Sequence, residues 1–235
     1  SGYKSNDPYS NRDPRLAATV LYNGVNWGNG IINVLKGQRD NPQGNANATP
    51  TGYYTRKYIP EVILNNNHTG SNYRNWIIIR YAEILLSYAE ALNNLTGPHT
   101  VELDGQPYTM SRDKEEIKKA FNQVRYRARL PGLTANQLNS TPEVQKQIER
   151  ERMVEFLWEN RRFYDVRRWG IYEETEQEPI RGMNPDGATK ETYYQRVIPS
   201  SSSFLTRVVD KRSVWVPIPR NEMRRLPSLD QNPGY

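Results

Sequence analysis

The chain has 235 residues, 36% of them hydrophobic and 25% charged, and a formal net charge of +6 at pH 7. A chain of this length buries roughly 70% of its unfolded surface, and 5 Trp, 16 Tyr and 4 Phe are too many aromatics for a disordered one. With no cysteine, disulfides, thiolate metal sites and cysteine nucleophiles are excluded, and the most apolar stretch, residues 76–95, carries Arg80, Glu83 and Glu90, which rules out a membrane-spanning helix there.

Residues 1–74 are dominated by Asn, Gly, Pro and Tyr and predict long ordered loops, with a strand over residues 16–22 before the Asn23-Gly24 turn signal. Residues 36–51 are the most flexible-looking part of this stretch. From residue 76 to residue 95 apolar side chains recur at spacings of three and four, from Ile77 through Tyr81, Ile84, Leu85, Tyr88, Ala89 and Leu92, predicting a mostly buried helix stopped by Gly97-Pro98. Leu103-Asp104-Gly105-Gln106 predicts a tight hairpin. Ser111 is the expected cap of a second helix with Ile117, Ala120, Phe121, Val124 and Ala128 on its core face, ending at Pro131-Gly132. A third helix is predicted from Thr141-Pro142 to about Trp169, with Gly170 as its stop, followed by loops, a short strand at Val214, Trp215 and Val216, and a Pro- and Asn-rich tail. The small and large positions Ala89, Ala120, Phe121 and Ala128 have the spacing of one tetratricopeptide-like helix pair.

Chemistry-bearing patterns are few. The histidines, His68 and His99, stand 31 positions apart without an HExxH pair, and Asn184, Asp186 and Gly187 read more simply as an Asx turn than as calcium ligands. There is no GxGxxG, P-loop or GxSxG, and Ser200 to Ser203 form a polar loop. Glu151, Glu155 and Glu159 are four apart on one helix face beside six arginines, which points to structural ion pairs such as Glu159 with Arg162 and Arg161 with Asp165 rather than to a glycosidase pair. Six Arg and five acids share residues 149–168, too balanced a stretch for a nucleic-acid stripe. Tyr3, Tyr9, Tyr22, Trp27, Tyr53, Tyr54, Tyr58 and Tyr73 instead sit among polar loop residues, as rings do that stack on sugars while Asn, Asp and Arg take the hydroxyls.

Arg80-Tyr81-Ala82-Glu83, Leu85-Leu86 and Tyr88-Ala89-Glu90-Ala91-Leu92 resemble the RYAEvLLmyAEAln signature of the SusD/RagB family. Three more blocks agree in order: Phe121 to Leu133, Glu149 to Gly170, and Pro217-Ile218-Pro219 to the closing Gln231-Asn232-Pro233-Gly234-Tyr235. Asp13-Pro14-Arg15 and Gly52 to Tyr58 also fall where the family places DxR and GYxxxKY, and Asn160 stands in place of its usual Gly.

The resemblance implies a mostly α fold of tetratricopeptide-like helix pairs (an α-α superhelix) with long ordered loops and a few short strands. The whole of residues 1–235 is expected to be one C-terminal domain, with a loop-rich segment at 1–74, a helical core at 75–170 and loops and tail at 171–235, preceded in the family by a lipidated N-terminal portion. It implies a non-catalytic, cofactor-free, cell-surface lipoprotein of the outer membrane that binds oligosaccharides for a TonB-dependent SusC-like transporter. Membrane association is then only through the lipid anchor, and nucleic acid is no partner. A RagB-like peptide- or protein-binding module, with a groove near Tyr81 and Tyr88, is the alternative. Because family ligand contacts come from variable loops, Tyr22, Asn26, Trp27, Tyr53 and Tyr54 are the expected binding residues, with Trp158 expected to serve the fold.

Overall fold

Residues 3–28, 30–59, 75–199 and 207–235 are described in a computed structural model of the chain. They divide into two units, one built from Ser1–Ile32 and Tyr54–Arg162, the other from Asn33–Tyr53 and Phe163–Tyr235. Ser200 to Ser203, His68 and Tyr73 lie outside the described residues.

In the first unit the expected strand over residues 16–22 is mostly helical: α1 is Arg15–Thr19 and only β1, Val20–Leu21, is extended. The cause lies just upstream, where the Asp13 carboxylate accepts the Arg15 N–H at 2.9 Å and the Asp13 carbonyl accepts the Leu16 N–H at 2.9 Å, winding the chain. β2 (Asn26–Trp27) pairs with β3 (Gly30–Ile31), and β1 pairs antiparallel with β4 (Tyr54–Thr55), placing Leu21 opposite Tyr54.

α2 spans Tyr81–Asn93, shorter than the expected 76–95, because Arg80 is extended at φ −145°. Nor is it mostly buried. Leu86, Ala89 and Leu92 face the core, whereas Tyr81, Ile84 and Tyr88 are exposed, since α2 is covered on one face only and its apolar set is wider than that face. The hairpin follows as expected, β5 (His99–Leu103) against β6 (Gln106–Met110), with both turn residues, Asp104 (φ 51°) and Gly105 (φ 72°), in the left-handed region such a two-residue loop needs.

α3 (Lys114–Arg127) is capped by Asp113, not Ser111, whose carboxylate accepts the N–H groups of Glu115 and Glu116. Its expected core face, Ile117, Ala120, Phe121, Val124 and Ala128, is buried, and α2 packs against it. After α4 (Ala135–Leu138), α5 (Thr141–Glu155) is capped by Ser140, one residue before Thr141: the Ser140 hydroxyl accepts the Glu143 N–H, and Pro142 lies in the first turn. Leu86, Phe121, Val144, Ile148 and Phe156 join in one hydrophobic cluster drawn from all three long helices and the residue that closes the third.

The long third helix is not continuous. It stops at Glu155, Trp158 and Asn160 take left-handed φ of 63° each, and the chain resumes as α6 (Arg161–Arg168). Trp158, expected to support the core, is partly exposed on this break.

The second unit contains α7 (Tyr172–Gln177), β7 (Gly182–Met183) paired with β8 (Arg196–Val197), α8 (Lys190–Tyr193) and α9 (Arg220–Arg225). The polar stretch 36–51 is ordered around Asn41, fully buried, whose amide donates to the Val34 and Pro185 carbonyls at 2.8 Å each and whose oxygen accepts the Gln43 N–H. Gly52 (φ 77°) lies under the buried Tyr193 ring, leaving no space for a Cβ. The expected strand at Val214, Trp215 and Val216 is absent. A 3₁₀ turn, Lys211–Val214, takes its place, and Arg167 captures the Ser213 and Val214 carbonyls that a strand would offer to a neighbour. Among the described residues no helix is long and apolar enough to cross a membrane.

Candidate functional site

Two features of the first unit invite a functional reading: a buried set of carboxylates and a set of loop aromatics. The carboxylates Glu151, Glu155 and Glu159 are all but removed from solvent, and each is met by cations from distant segments. Arg15 reaches Glu151 at 2.5 Å and Glu155 at 2.8 Å, Arg125 reaches Glu151 at 2.8 Å, and Arg80 reaches Glu155 at 2.6 Å and Glu159 at 2.8 Å. Arg127 joins Glu155, Lys57 joins Glu159, and Asp13 anchors Arg15 at 2.7 Å.

Burial pushes the Glu155 carboxyl up, but hydrogen bonds from Arg15 and Arg80 and the charges of Arg80 and Arg127 outweigh it and hold the group below the ordinary range. For Glu159 burial is likewise outweighed, by Arg80 and Lys57, and for Asp13 by Arg15. A glycosidase acid must stay protonated near neutral pH, so a pair of carboxylates held ionised and bonded to arginines is built for holding segments together. The expected pairings inside the third helix are replaced: Glu159 bonds Arg80 and Lys57, Arg161 bonds Glu83, and Asp165 bonds Arg168. The break after Glu155 takes Glu159 out of the helix that its pairing with Arg162 required, whereas Arg161 and Asp165 share α6 and are each drawn to another partner.

The sequence shows the four-residue spacing of the glutamates. It does not show that their partners lie up to 140 positions away, although Asp13, Arg15 and Arg80 stand in the blocks that carry the family resemblance.

Of the five expected binding residues, four lie in the first unit. Tyr22 follows β1 and stacks on Tyr9 with ring centroids 4.0 Å apart, and Tyr54 is fixed by the β1–β4 pair beside it. Asn26 is exposed on β2. Trp27, next to it, is only 8% exposed, and the Arg56 guanidinium lies 5.0 Å from its ring centroid. Arg56 is held in turn by the Ala17 carbonyl at 2.6 Å, so Trp27 is a packed post beneath a cation rather than an open platform. Tyr53, half-buried, belongs to the second unit.

Among the described residues no group of three or more His, Cys, Asp or Glu is arranged to hold a metal ion. At Asn184 the side-chain oxygen accepts the Asp186 N–H at 3.1 Å, which makes the expected Asx turn.

The model of the SusD family matches residues 1–235. SusD-like protein P2 of Formosa agariphila is 27% identical over 185 residues, covering 76% of this chain and 30% of that protein. Among solved structures, a SusD-like protein of Bacteroides fragilis is 31% identical with a TM-score of 0.73 over 97% of this chain and 40% of its own. A second B. fragilis structure, described as a SusD-like carbohydrate binding protein, is 28% identical with a TM-score of 0.58 over 77% of this chain and 33% of its own. The chain thus spans about three tenths to two fifths of the length of these relatives.

Proposed function

Since the chain belongs to the SusD family, we propose that it captures oligosaccharides at the outer surface of the outer membrane, without transforming them, and presents them to a TonB-dependent SusC-like transporter. The observation that carries this reading is the run of loop aromatics with polar neighbours in the first unit, where Tyr22 follows Leu21, the partner of Tyr54 across the β1–β4 pair, and Asn26 precedes Trp27, over which the Arg56 side chain lies. Tyr22 and Tyr54 supply ring faces, Asn26 and Arg56 supply hydrogen-bond donors for hydroxyls, and Trp27 sets the position of Arg56. Commitment of the buried glutamates to arginines supports the non-catalytic part of the reading, and the carbohydrate-binding relative supports the ligand class.

Calorimetric titration with a panel of neutral oligosaccharides tests it. Tyr22→Ala and Tyr54→Ala are each expected to weaken binding about tenfold, ~1.4 kcal/mol. A RagB-like peptide reading is favoured by the exposure of Tyr81 and Tyr88 on α2. Binding of peptides but no sugar, lost in Tyr81→Ala and kept in Tyr22→Ala, would establish that alternative instead.

A further inference from the structure

In the first unit a cavity of about 370 Å³ opens between the 11–15 segment, the end of α3 and one face of α5. Arg12, Arg15, Arg125 and Arg150 line it against two acids, Asp13 and Glu151. The two acids are spoken for: Asp13 is bonded to Arg15, and Glu151 to Arg15 and Arg125. What is left over is positive. Arg12 donates one bond, to the Pro8 carbonyl at 2.9 Å, and lies over the Tyr3 ring, leaving further N–H groups unengaged. The side chain of Arg150, from the exposed edge of α5, makes no hydrogen bond or ion pair among the described residues.

Two guanidiniums with donors to spare, beside a wall of fully matched ion pairs, favour an anion in a concave site large enough for more than an ion. Leu130, Pro131 and Val154 add apolar surface of the kind that packs on the C–H face of a sugar ring, and Asn11 and Gln147 add neutral polar groups. We propose that this cavity is a binding subsite for an acidic sugar unit, one that bears a carboxylate or a sulfate ester. The proposal rests on the glycan reading for its ligand class, but its residues are not those assigned to the loop aromatics.

The test is titration of the protein with galactose, galacturonate, galactose 6-sulfate and inorganic sulfate, at low and high salt, for the unaltered chain, the Arg12→Gln/Arg150→Gln double variant and Tyr22→Ala. Neither arginine belongs to the buried carboxylate network, so the double variant is expected to melt with the unaltered protein. The expected result is at least tenfold tighter binding of an acidic sugar than of galactose, reduced at least fivefold by the double substitution and by high salt, and unaffected by Tyr22→Ala. Whether galacturonate or the sulfate ester binds tighter identifies which acid the cavity takes.

Equal affinity for galactose and both acidic sugars would overturn the proposal, as would a double variant that binds them undiminished, or inorganic sulfate binding as tightly as the sulfated sugar. If neutral oligosaccharides bind and depend on Tyr22 while no acidic preference exists, this inference fails and the glycan reading stands. Arginine-dependent binding of the acidic sugar with no effect of Tyr22→Ala on any oligosaccharide keeps the subsite and removes the aromatic site.

Discussion

At Glu155 a single carboxylate, nearly out of contact with water, meets guanidiniums from Arg15, Arg80 and Arg127. Burying that charge is costly, and the cost is offset only while every partner is in place. Glu155→Gln keeps the shape and removes the charge, leaving Arg15 and Arg80 facing a neutral amide. The expected loss is about 3–5 kcal/mol of folding stability, read as a shift of the urea midpoint. A loss under ~1 kcal/mol would mean that the arginines simply turn to solvent. Trp27 teaches the complementary lesson. Its place among polar loop residues suggested an open stacking face, but the nearby Arg56, fixed by a backbone carbonyl, covers it. A side chain's neighbours in space decide its exposure, and residue 56 lies 29 positions away in the chain.

Between α5 and α6 the backbone turns through two left-handed residues, and neither is glycine. Asn accepts this conformation because its short polar side chain can bond locally, whereas a β-branched residue there is strained. Asn160→Gly is therefore expected to change stability by less than about 0.5 kcal/mol, and Asn160→Val to cost about 1–3 kcal/mol, both checked by thermal melting. Equal effects of the two would remove backbone strain as the explanation. The same break shows where pattern reading stops.

The core faces of α2 and α3 were legible because Leu86, Ala89, Ile117, Phe121 and Val124 recur at helical period against a partner helix. The break was not, since Phe156, Leu157 and Trp158 continue an apolar pattern and no Gly or Pro marks the turn. Residues 16–22 misled for a related reason: the turn that Asp13 imposes winds Leu16, Ala17, Ala18 and Thr19 into α1 and leaves only Val20 and Leu21 extended. Of the site, the glutamate spacing and the loop aromatics could be read in advance. The cavity with its spare arginines could not, because it is assembled from segments more than a hundred positions apart.

For the whole molecule, the carboxylate network ties stability to pH. Asp13, Glu155 and Glu159 are all held below their ordinary values of 3.8, 4.5 and 4.5, so the unfolded chain takes up protons before the folded one as pH falls. Their contribution is full above about pH 4.5 and is lost progressively below it, as pH approaches the depressed folded values. Urea midpoints measured from pH 7 to pH 3 are expected to stay level in their carboxylate contribution down to about 4.5 and then fall, more steeply in the unaltered chain than in Glu155→Gln. Parallel curves for the two would show that this network does not govern acid stability.

The network also shapes the functional account. It ties the 13–15 segment, Lys57, Arg80 and the end of α3 to α5, and so fixes the ends of the loops that carry Tyr22 and Tyr54. A scaffold of that kind holds a recognition surface still without offering a titratable group to a reaction. The most direct measurement is a calorimetric titration of the protein against soluble oligosaccharides, with the recovered sugar assayed for new reducing ends after prolonged incubation. Saturable binding that Tyr22→Ala weakens about tenfold, with the sugar returned intact, is the predicted result. Cleaved sugar, or no binding to any oligosaccharide, would contradict a non-catalytic glycan-capture role.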